Sequence, residues 1–162
     1  IGIKINVIKN SLKKFTGIQR RLTKVFSIGE REFFDDYAHH PTEIKSVLKS
    51  LKTTSNNRRI VSVFQPHRYS RLRLLKKDFS YAFKDSDLVL LCPVYPAGEK
   101  IDKKYKEVDF ARLIFRNSKA QVVIVRNQHD LKKFFIKNLL ENEIIVCMGA
   151  GSISKWIREM DL

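Results

Sequence analysis

The sequence predicts an α/β fold in which a mostly parallel sheet carries helices on both faces. Apolar runs of strand length alternate with segments whose apolar residues recur at helical spacing. The strand-like runs are almost continuously apolar, as in residues 144–148 (IIVCM). Such runs are typical of strands that are buried on both sides of a sheet. Together these observations predict a Rossmann-like architecture.

The first predicted elements are a helix and two short strands. Residues 3–15 show apolar side chains close to helical spacing, namely Ile3, Ile5, Ile8, Leu12 and Phe15. Gly17 ends that pattern. Residues 20–26 and 31–37 are predicted as strands, separated by a turn at 27–29.

From Pro41 onward the alternation becomes regular. Pro41 suits the first position of a helix, with His40 before it as a cap and Glu43 in the first turn. Four further helices and four strands are then predicted from apolar periodicity. The helices are 69–83, 108–115, 130–140 and 153–160, and the strands are 60–64, 88–92, 121–125 and 144–148.

Composition excludes several classes of protein. With 162 residues, 43% of them hydrophobic, the chain has enough apolar material for one domain with its own core, which argues against disorder. Its apolar runs are too short to cross a bilayer, and no signal peptide is visible, so we expect a cytoplasmic protein. Cys92 and Cys147 lie in apolar strand-like runs, which predicts buried reduced thiols rather than a disulfide.

The net charge of +15 favours contact with polyanions and keeps a basic nucleic-acid-binding module open as an alternative. The basic residues are scattered, however, and most fall on predicted solvent-exposed helix faces. The aromatic residues mostly occupy core spacings rather than alternating with basic ones. Nucleic acid is therefore not the expected partner.

Four chemically rich segments follow strand-like runs, at residues 36–40, 65–71, 95–99 and 149–152. In sheets of this kind ligands bind at the carboxyl ends of the strands. We therefore predict a single site along that edge. The sequence has no G-x-x-x-x-G-K-[ST] phosphate loop to place there.

The first segment holds Asp36, Tyr37, His39 and His40. A carboxylate and two imidazoles are possible zinc ligands, but adjacent histidines in an extended segment point in opposite directions, and no third soft ligand is near. We therefore predict no metal site. Helix capping by His40, with Asp36 and His39 touching a ribose or an amino acid, is the favoured interpretation, and a purely structural role stays open.

The second segment places His67, Arg68 and Arg71 at the start of a helix. The two arginines are spaced i,i+3 and share a face, and guanidinium groups bind carboxylates and phosphates in a planar, bidentate way. Arginines on a solvated helix are the alternative. At the last strand, Gly149, Gly151 and Ser152 form a turn that either contacts an anion or simply joins strand to helix.

These segments resemble the C-terminal portion of the Mur ligases, and the likeness covers essentially the whole chain. Five motifs occur in the family's order, at residues 17–22 (GIQRRL), 35–43 (DDYAHHPTE), 64–71 (FQPHRYSR), 94–99 (VYPAGE) and 149–153 (GAGSI). Leu22 stands where the family usually has phenylalanine. The HRYSR arrangement is most similar to the branch of the family that adds L-alanine to UDP-N-acetylmuramate.

The resemblance implies a domain of a three-domain, ATP-dependent acid–amino-acid ligase of peptidoglycan synthesis. Residues 1–16 would be the tail of the central ATP-binding domain, and residues 17–162 the C-terminal domain. Because the chain begins at Ile1 rather than Met, we expect a piece of a longer protein. The UDP-sugar domain, the phosphate loop and the Mg2+ ligands would lie outside it, so the piece alone should be inactive. A noncatalytic product of a split ligase gene is an alternative.

The implied reaction phosphorylates the sugar's lactyl carboxylate with ATP, and the amine of L-alanine then attacks the acyl phosphate. The resemblance implies that Tyr37, His39, His67, Arg68 and Arg71 bind the amino acid. It further implies that Arg21 contacts an ATP phosphate and that Asp36 contacts the ribose.

Overall fold

The computed structural model describes residues 2–14 and 18–162, and it contains seven helices and six strands within them. The helices are α1 (Ile5–Lys13), α2 (Pro41–Thr54), α3 (Tyr69–Leu74), α4 (Lys76–Ser80), α5 (Glu107–Ser118), α6 (Gln128–Asn138) and α7 (Ile153–Arg158). The strands are β1 (Thr23–Ile28), β2 (Arg31–Asp36), β3 (Arg59–Phe64), β4 (Leu88–Leu91), β5 (Gln121–Ile124) and β6 (Glu143–Met148). The predicted domain boundary between residues 16 and 17 lies outside the described residues, as does the apolar position Phe15.

The six strands form one sheet in the order β1-β2-β6-β3-β4-β5. Strand β1 is antiparallel to β2, and every other neighbouring pair is parallel. The mostly parallel α/β fold is therefore confirmed. Because β2, β6, β3 and β4 are parallel neighbours, the segments that follow them emerge at one edge of the sheet.

Helices cover both faces of the sheet over two separate cores. One core packs α2, α3, α4 and α5 on the sheet, with Leu48, Phe79 and Phe110 at its centre. The other packs α6 and α7 on the opposite face through Phe135 and Ile157. Both thiols, Cys92 and Cys147, are buried and unpaired in this second core.

The single helix predicted at 69–83 is wrong. The chain forms α3 and α4 instead, because Leu75 leaves helical geometry at φ −108° and ψ 17°. Leu72 and Phe79 still reach the same core on either side of this break. The apolar spacing that suggested one helix is thus preserved by two short ones.

Strand β1 starts and ends later than predicted. Arg20 and Leu22 have φ values of 59° and 46°, which are incompatible with extended backbone, so the strand begins at Thr23. It continues through Ile28, and the turn to β2 falls at Gly29, whose φ is 57°. Residues 20–22 are therefore a turn beside the end of β2.

Helix α2 begins at Pro41 as predicted, and its start is capped from both sides. The His40 side chain accepts a hydrogen bond from Thr42 N–H at 3.4 Å. Glu43 accepts from the backbone N–H groups of His39 and His40 at 2.9 and 3.1 Å. This capping box fixes the direction in which residues 37–40 leave the sheet.

Helix α1 confirms the helical spacing at residues 5–13, but none of its residues is buried against the described part of the chain. Its apolar side chains are exposed: Ile5 by 67%, Ile8 by 44% and Leu12 by 66%. No helix within residues 2–14 and 18–162 has the length and apolar character needed to cross a membrane.

Candidate functional site

Backbone hydrogen bonds join the four predicted segments at the carboxyl edge of the sheet. Gln65 N–H donates to the carbonyl of the last residue of β6 at 3.0 Å, and Gly149 N–H donates to that of the last residue of β2 at 3.3 Å. An isolated parallel bridge between His67 and Tyr95 attaches the segment after β4. The structure thus brings the four segments together.

Four aromatic side chains form a row across this edge, at centroid separations of 5.0 Å for Tyr37–His39, 5.9 Å for His39–His67 and 5.6 Å for His67–Tyr95. The first three were predicted as site residues. Tyr95 was not, although it stacks on His67 with an interplanar angle of 19°. This row, called here the imidazole row, places side by side two histidines from the segments that follow β2 and β3.

The surroundings of His67 favour its neutral form. Burial lowers its pKa, and the charge of Arg71 and the neighbouring His39 and Arg68 lower it further. The Arg71 guanidinium lies 3.3 Å from His67 Nδ1, and because a guanidinium only donates, Nδ1 must accept. The proton of this neutral ring then sits on Nε2.

The neutral form of His39 has the opposite tautomer. Its Nδ1 lies 2.9 Å from the Tyr37 carbonyl, which can only accept, so Nδ1 carries a proton and Nε2 is an acceptor when the ring is neutral. The Glu43 carboxylate is 3.5 Å from the same Nδ1. Burial alone would raise the pKa of Glu43, but the hydrogen bond from His39 N–H and the nearby charges bring it below its usual value. When both rings are neutral, the imidazole row combines one donor Nε2 and one acceptor Nε2.

Arg68 immediately precedes α3 in a left-handed conformation, with φ 69°, that is uncommon for a residue other than glycine. Its N–H donates to the Tyr95 carbonyl at 2.8 Å, while its side chain is exposed. Ser70 donates its N–H to Glu99 at 3.0 Å, and its hydroxyl donates to the same carboxylate. These hydrogen bonds lower the pKa of Glu99. The segment after β4 thus anchors the start of the arginine-bearing helix.

The two residues predicted to contact ATP occupy different environments. Asp36 is only 3% exposed, and its oxygens accept from the N–H groups of Ala38 and Leu22, both at 2.7 Å. Burial raises the pKa of Asp36, and these bonds and the charge of Arg21 oppose the rise. Arg21 itself is exposed. Asp36 therefore fixes the chain around it, while Arg21 faces solvent.

The turn at residues 149–152 packs tightly against the site. Gly149 has φ 152°, and a Cβ there would lie 2.8 Å from the Gln65 carbonyl oxygen. A Cβ on Gly151 would lie 2.5 Å from Tyr95 Cγ. Ser152 accepts from Gln65 Nε2 at 3.0 Å. Close packing explains both glycines, and an anion contact by this turn stays a prediction.

Sequence reasoning missed Arg20, Gln65 and Glu99 as parts of this site. Arg20 donates to the Gly149 carbonyl, and Gln65 accepts from Ile153 N–H at 3.0 Å. All three lie inside the motifs quoted above, so their positions were visible. Nothing in the spacing says which partner, up to 129 residues away, each side chain meets.

No group of three or more His, Cys, Asp or Glu side chains within the described ranges, 2–14 and 18–162, is arranged to hold a metal ion.

Comparison with known proteins assigns the chain to a family. Residues 20–151 match the family described as Mur ligase, glutamate ligase domain. The UDP-N-acetylmuramate–L-alanine ligase of Pelagibacter ubique is 49% identical over 160 residues, which cover 99% of this chain and 34% of that protein. The enzyme of the same name from Brachyspira hyodysenteriae is 42% identical over 94% of this chain and 33% of its own length.

Solved structures show the same fold. The UDP-N-acetylmuramate–alanine ligase of Thermotoga maritima has a TM-score of 0.68 and 28% identity, covering 97% of this chain and 32% of that one. A murein peptide ligase from Psychrobacter arcticus reaches a TM-score of 0.69 at 19% identity, which shows the shared fold alone. This chain spans about a third of the length of the curated relatives named above. From the match over residues 20–151, the chain belongs to the Mur ligase family, as a glutamate ligase domain.

Proposed function

We propose that this chain is the C-terminal, amino-acid-binding domain of a cytoplasmic ATP-dependent ligase that joins L-alanine to UDP-N-acetylmuramate in peptidoglycan synthesis. The observation that carries the proposal is the imidazole row with Arg68 and Arg71 beside it, at the edge where α/β sheets bind ligands. The names and coverage of the relatives support the choice of reaction.

The two arginines bind the carboxylate of the amino acid. Arg71 is partly buried and held against His67, so its guanidinium is already oriented when the ligand arrives. Arg68 lies three residues earlier with an exposed side chain. A guanidinium pairs with a carboxylate through two parallel hydrogen bonds, which fixes orientation as well as charge.

The amine must attack as the neutral base. Its nitrogen forms the amide bond with the acyl carbon while the bond from that carbon to the phosphate oxygen breaks, and one proton leaves the nitrogen. In the neutral ring, His39 Nε2 is an acceptor nitrogen, which suits this proton. Neutral His67 places no positive charge beside the amine, and its Nε2–H is a donor for the acyl phosphate oxygen.

In this proposal Arg21 contacts a phosphate of ATP and Asp36 contacts the ribose. The solvent exposure of Arg21 supports its assignment. Asp36 would accept from a ribose hydroxyl through a second lone pair, because each of its oxygens already accepts one backbone N–H. Residues 1–16 would belong to the ATP-binding domain, and exposed α1 is compatible with cover from that domain.

The test is an Arg71→Ala variant of the complete gene product, assayed by L-alanine-dependent phosphate release. Loss of a charge-assisted pair costs about 1.5–3 kcal/mol, so the KM for L-alanine should rise roughly 10- to 100-fold while that for UDP-N-acetylmuramate stays near its original value. Arg73→Ala is the matched control, since Arg73 is 75% exposed on the same helix and pairs with Asp102 at 3.6 Å.

Two outcomes would overturn the proposal. An unchanged alanine KM in Arg71→Ala would remove Arg71 from the amino-acid site. A complete wild-type product that releases no phosphate with L-alanine would refute the ligase assignment. It would favour either a basic binding domain with net charge +15 or a noncatalytic product of a split ligase gene.

A further inference from the structure

Asp35 is a fully buried carboxylate outside the machinery described so far, with 0% exposure. Its Oδ2 accepts from the Ser154 hydroxyl at 2.6 Å and from Arg158 Nη2 at 3.0 Å, and it lies 3.7 Å from Arg20 Nε. Its Oδ1 has no hydrogen-bond partner among the described residues. Burying a charge that is only partly satisfied is unfavourable, so its presence at this position calls for a physical role.

The role follows from the position of Arg20. Its guanidinium carbon lies 4.6 Å from the centroid of the Tyr37 ring, within the range of a cation–π contact. The same guanidinium donates to the Gly149 carbonyl. The Arg20 carbonyl in turn accepts from Tyr37 N–H at 2.9 Å. Arg20 therefore holds Tyr37, the first member of the imidazole row, by both its ring and its backbone.

Arg20 does not adopt this position by local preference. With φ 59° at Arg20 and 46° at Leu22, the turn at residues 20–22 contains two left-handed residues that are not glycine. Asp36 accepts from Leu22 N–H at 2.7 Å, and Asp35 pairs with the Arg20 side chain. Consecutive strand residues point to opposite faces of a sheet, so the two aspartates secure the turn from both sides.

We propose that Asp35 is a positioning residue of the amino-acid site. Its charge fixes Arg20, and Arg20 fixes Tyr37 beside His39. The inference rests on the proposed function only where Tyr37 is said to touch the amino acid. The link from Asp35 through Arg20 to Tyr37 depends on contacts alone.

The test compares Asp35→Asn with Arg158→Ala in the complete gene product. Asparagine keeps the shape of the side chain and removes the charge that holds Arg20. Arg158→Ala is the matched control, because it removes another partner of the same oxygen and leaves the Arg20–Asp35 pair in place. The readouts are the KM values for L-alanine and UDP-N-acetylmuramate, and the 19F NMR signal of Tyr37 in 3-fluorotyrosine-labelled protein. That signal is identified as the one missing from Tyr37→Phe.

Asp35→Asn should shift the Tyr37 signal and raise the alanine KM roughly tenfold, as expected when a group that orients a ligand-binding side chain is lost. The KM for the UDP-sugar should stay unchanged. Arg158→Ala should leave the signal and both KM values as in the wild type. If Asp35→Asn does not fold, Arg20→Gln tests the second step of the same link, since it removes the charge over the Tyr37 ring and keeps Asp35 bonded to Ser154 and Arg158.

An unmoved Tyr37 signal in Asp35→Asn, or in Arg20→Gln where the first variant does not fold, would overturn the inference. Equal shifts in Asp35→Asn and Arg158→Ala would also overturn it, because Asp35 would then act only by packing α7. If the proposed function is wrong but the inference is right, the Tyr37 signal moves as expected, while the wild-type protein shows no alanine-dependent phosphate release.

Discussion

Replacing Gly151 by alanine should destabilise the fold by steric overlap alone, and the other glycines of the chain make the cause measurable. An added Cβ at Gly151 would lie 2.5 Å from both Tyr95 Cγ and Gln65 Oε1, against the 3.4–4 Å of an ordinary contact. The Tyr95 ring would have to move by about 1 Å, and overpacking of this kind costs about 1–3 kcal/mol.

Three matched variants separate steric overlap from backbone strain. Gly29→Ala meets no atom within 4 Å but has φ 57°, so it should cost only the left-handed penalty of about 1–2 kcal/mol. Gly149→Ala combines φ 152° with a 2.8 Å approach to the Gln65 backbone oxygen and should be the most damaging. Gly2→Ala has neither problem and should match the wild type.

The assay is urea unfolding of this chain, monitored by circular dichroism. The four variants are compared with the same slope of unfolding free energy against urea concentration. We expect stability to fall in the order Gly2→Ala, then Gly29→Ala and Gly151→Ala, then Gly149→Ala. Because Tyr95 stacks on His67, Gly151→Ala should also weaken amino-acid binding in the complete protein. If Gly151→Ala is as stable as Gly2→Ala, the close packing of residues 149–152 on Tyr95 is refuted.

Three further predictions concern capping, titration and thiol chemistry. His40→Ala should lower the unfolding free energy by about 1 kcal/mol through loss of the α2 cap, whereas His40→Asn should retain most of the capping free energy. Equal losses of stability for the two variants in thermal melts would contradict the capping role. His67 should titrate by NMR below its usual 6.5, and Arg71→Gln should raise its pKa; a wild-type pKa above 6.5 would contradict the lowering by burial and by Arg71. Since the folded pKa is the lower one, the contribution of His67 to stability is complete above pH 6.5 and declines as pH falls through the folded value. Burial raises the pKa of Cys92 to about 12 and that of Cys147 well above its usual value. Neither thiol should therefore react with a thiol reagent at pH 8 until the chain is unfolded in urea. Rapid reaction of the native protein would contradict the burial of the two thiols.

The class of the fold, and the sheet edge where the candidate site lies, could both be predicted from the sequence. Strands such as β6 are almost continuously apolar because both of their faces are covered, and this is visible in the five consecutive residues 144–148. The start of α2 was likewise predictable, since a cap, a proline and an acidic first turn act within four residues. These features depend on neighbours along the chain, and their physical causes can be read there.

Which side chain meets which partner could be read only from the folded chain. Arg20 and Arg21 are adjacent and chemically identical, yet Arg20 turns inward to Gly149 and Tyr37 while Arg21 stays exposed. The break at Leu75 and the tight fit of Gly151 against Tyr95 were equally absent from local patterns. Each arises from contact between segments that are far apart in sequence or from packing against a common core. Periodicity reports only whether a residue faces the core, so it carries no information about such contacts.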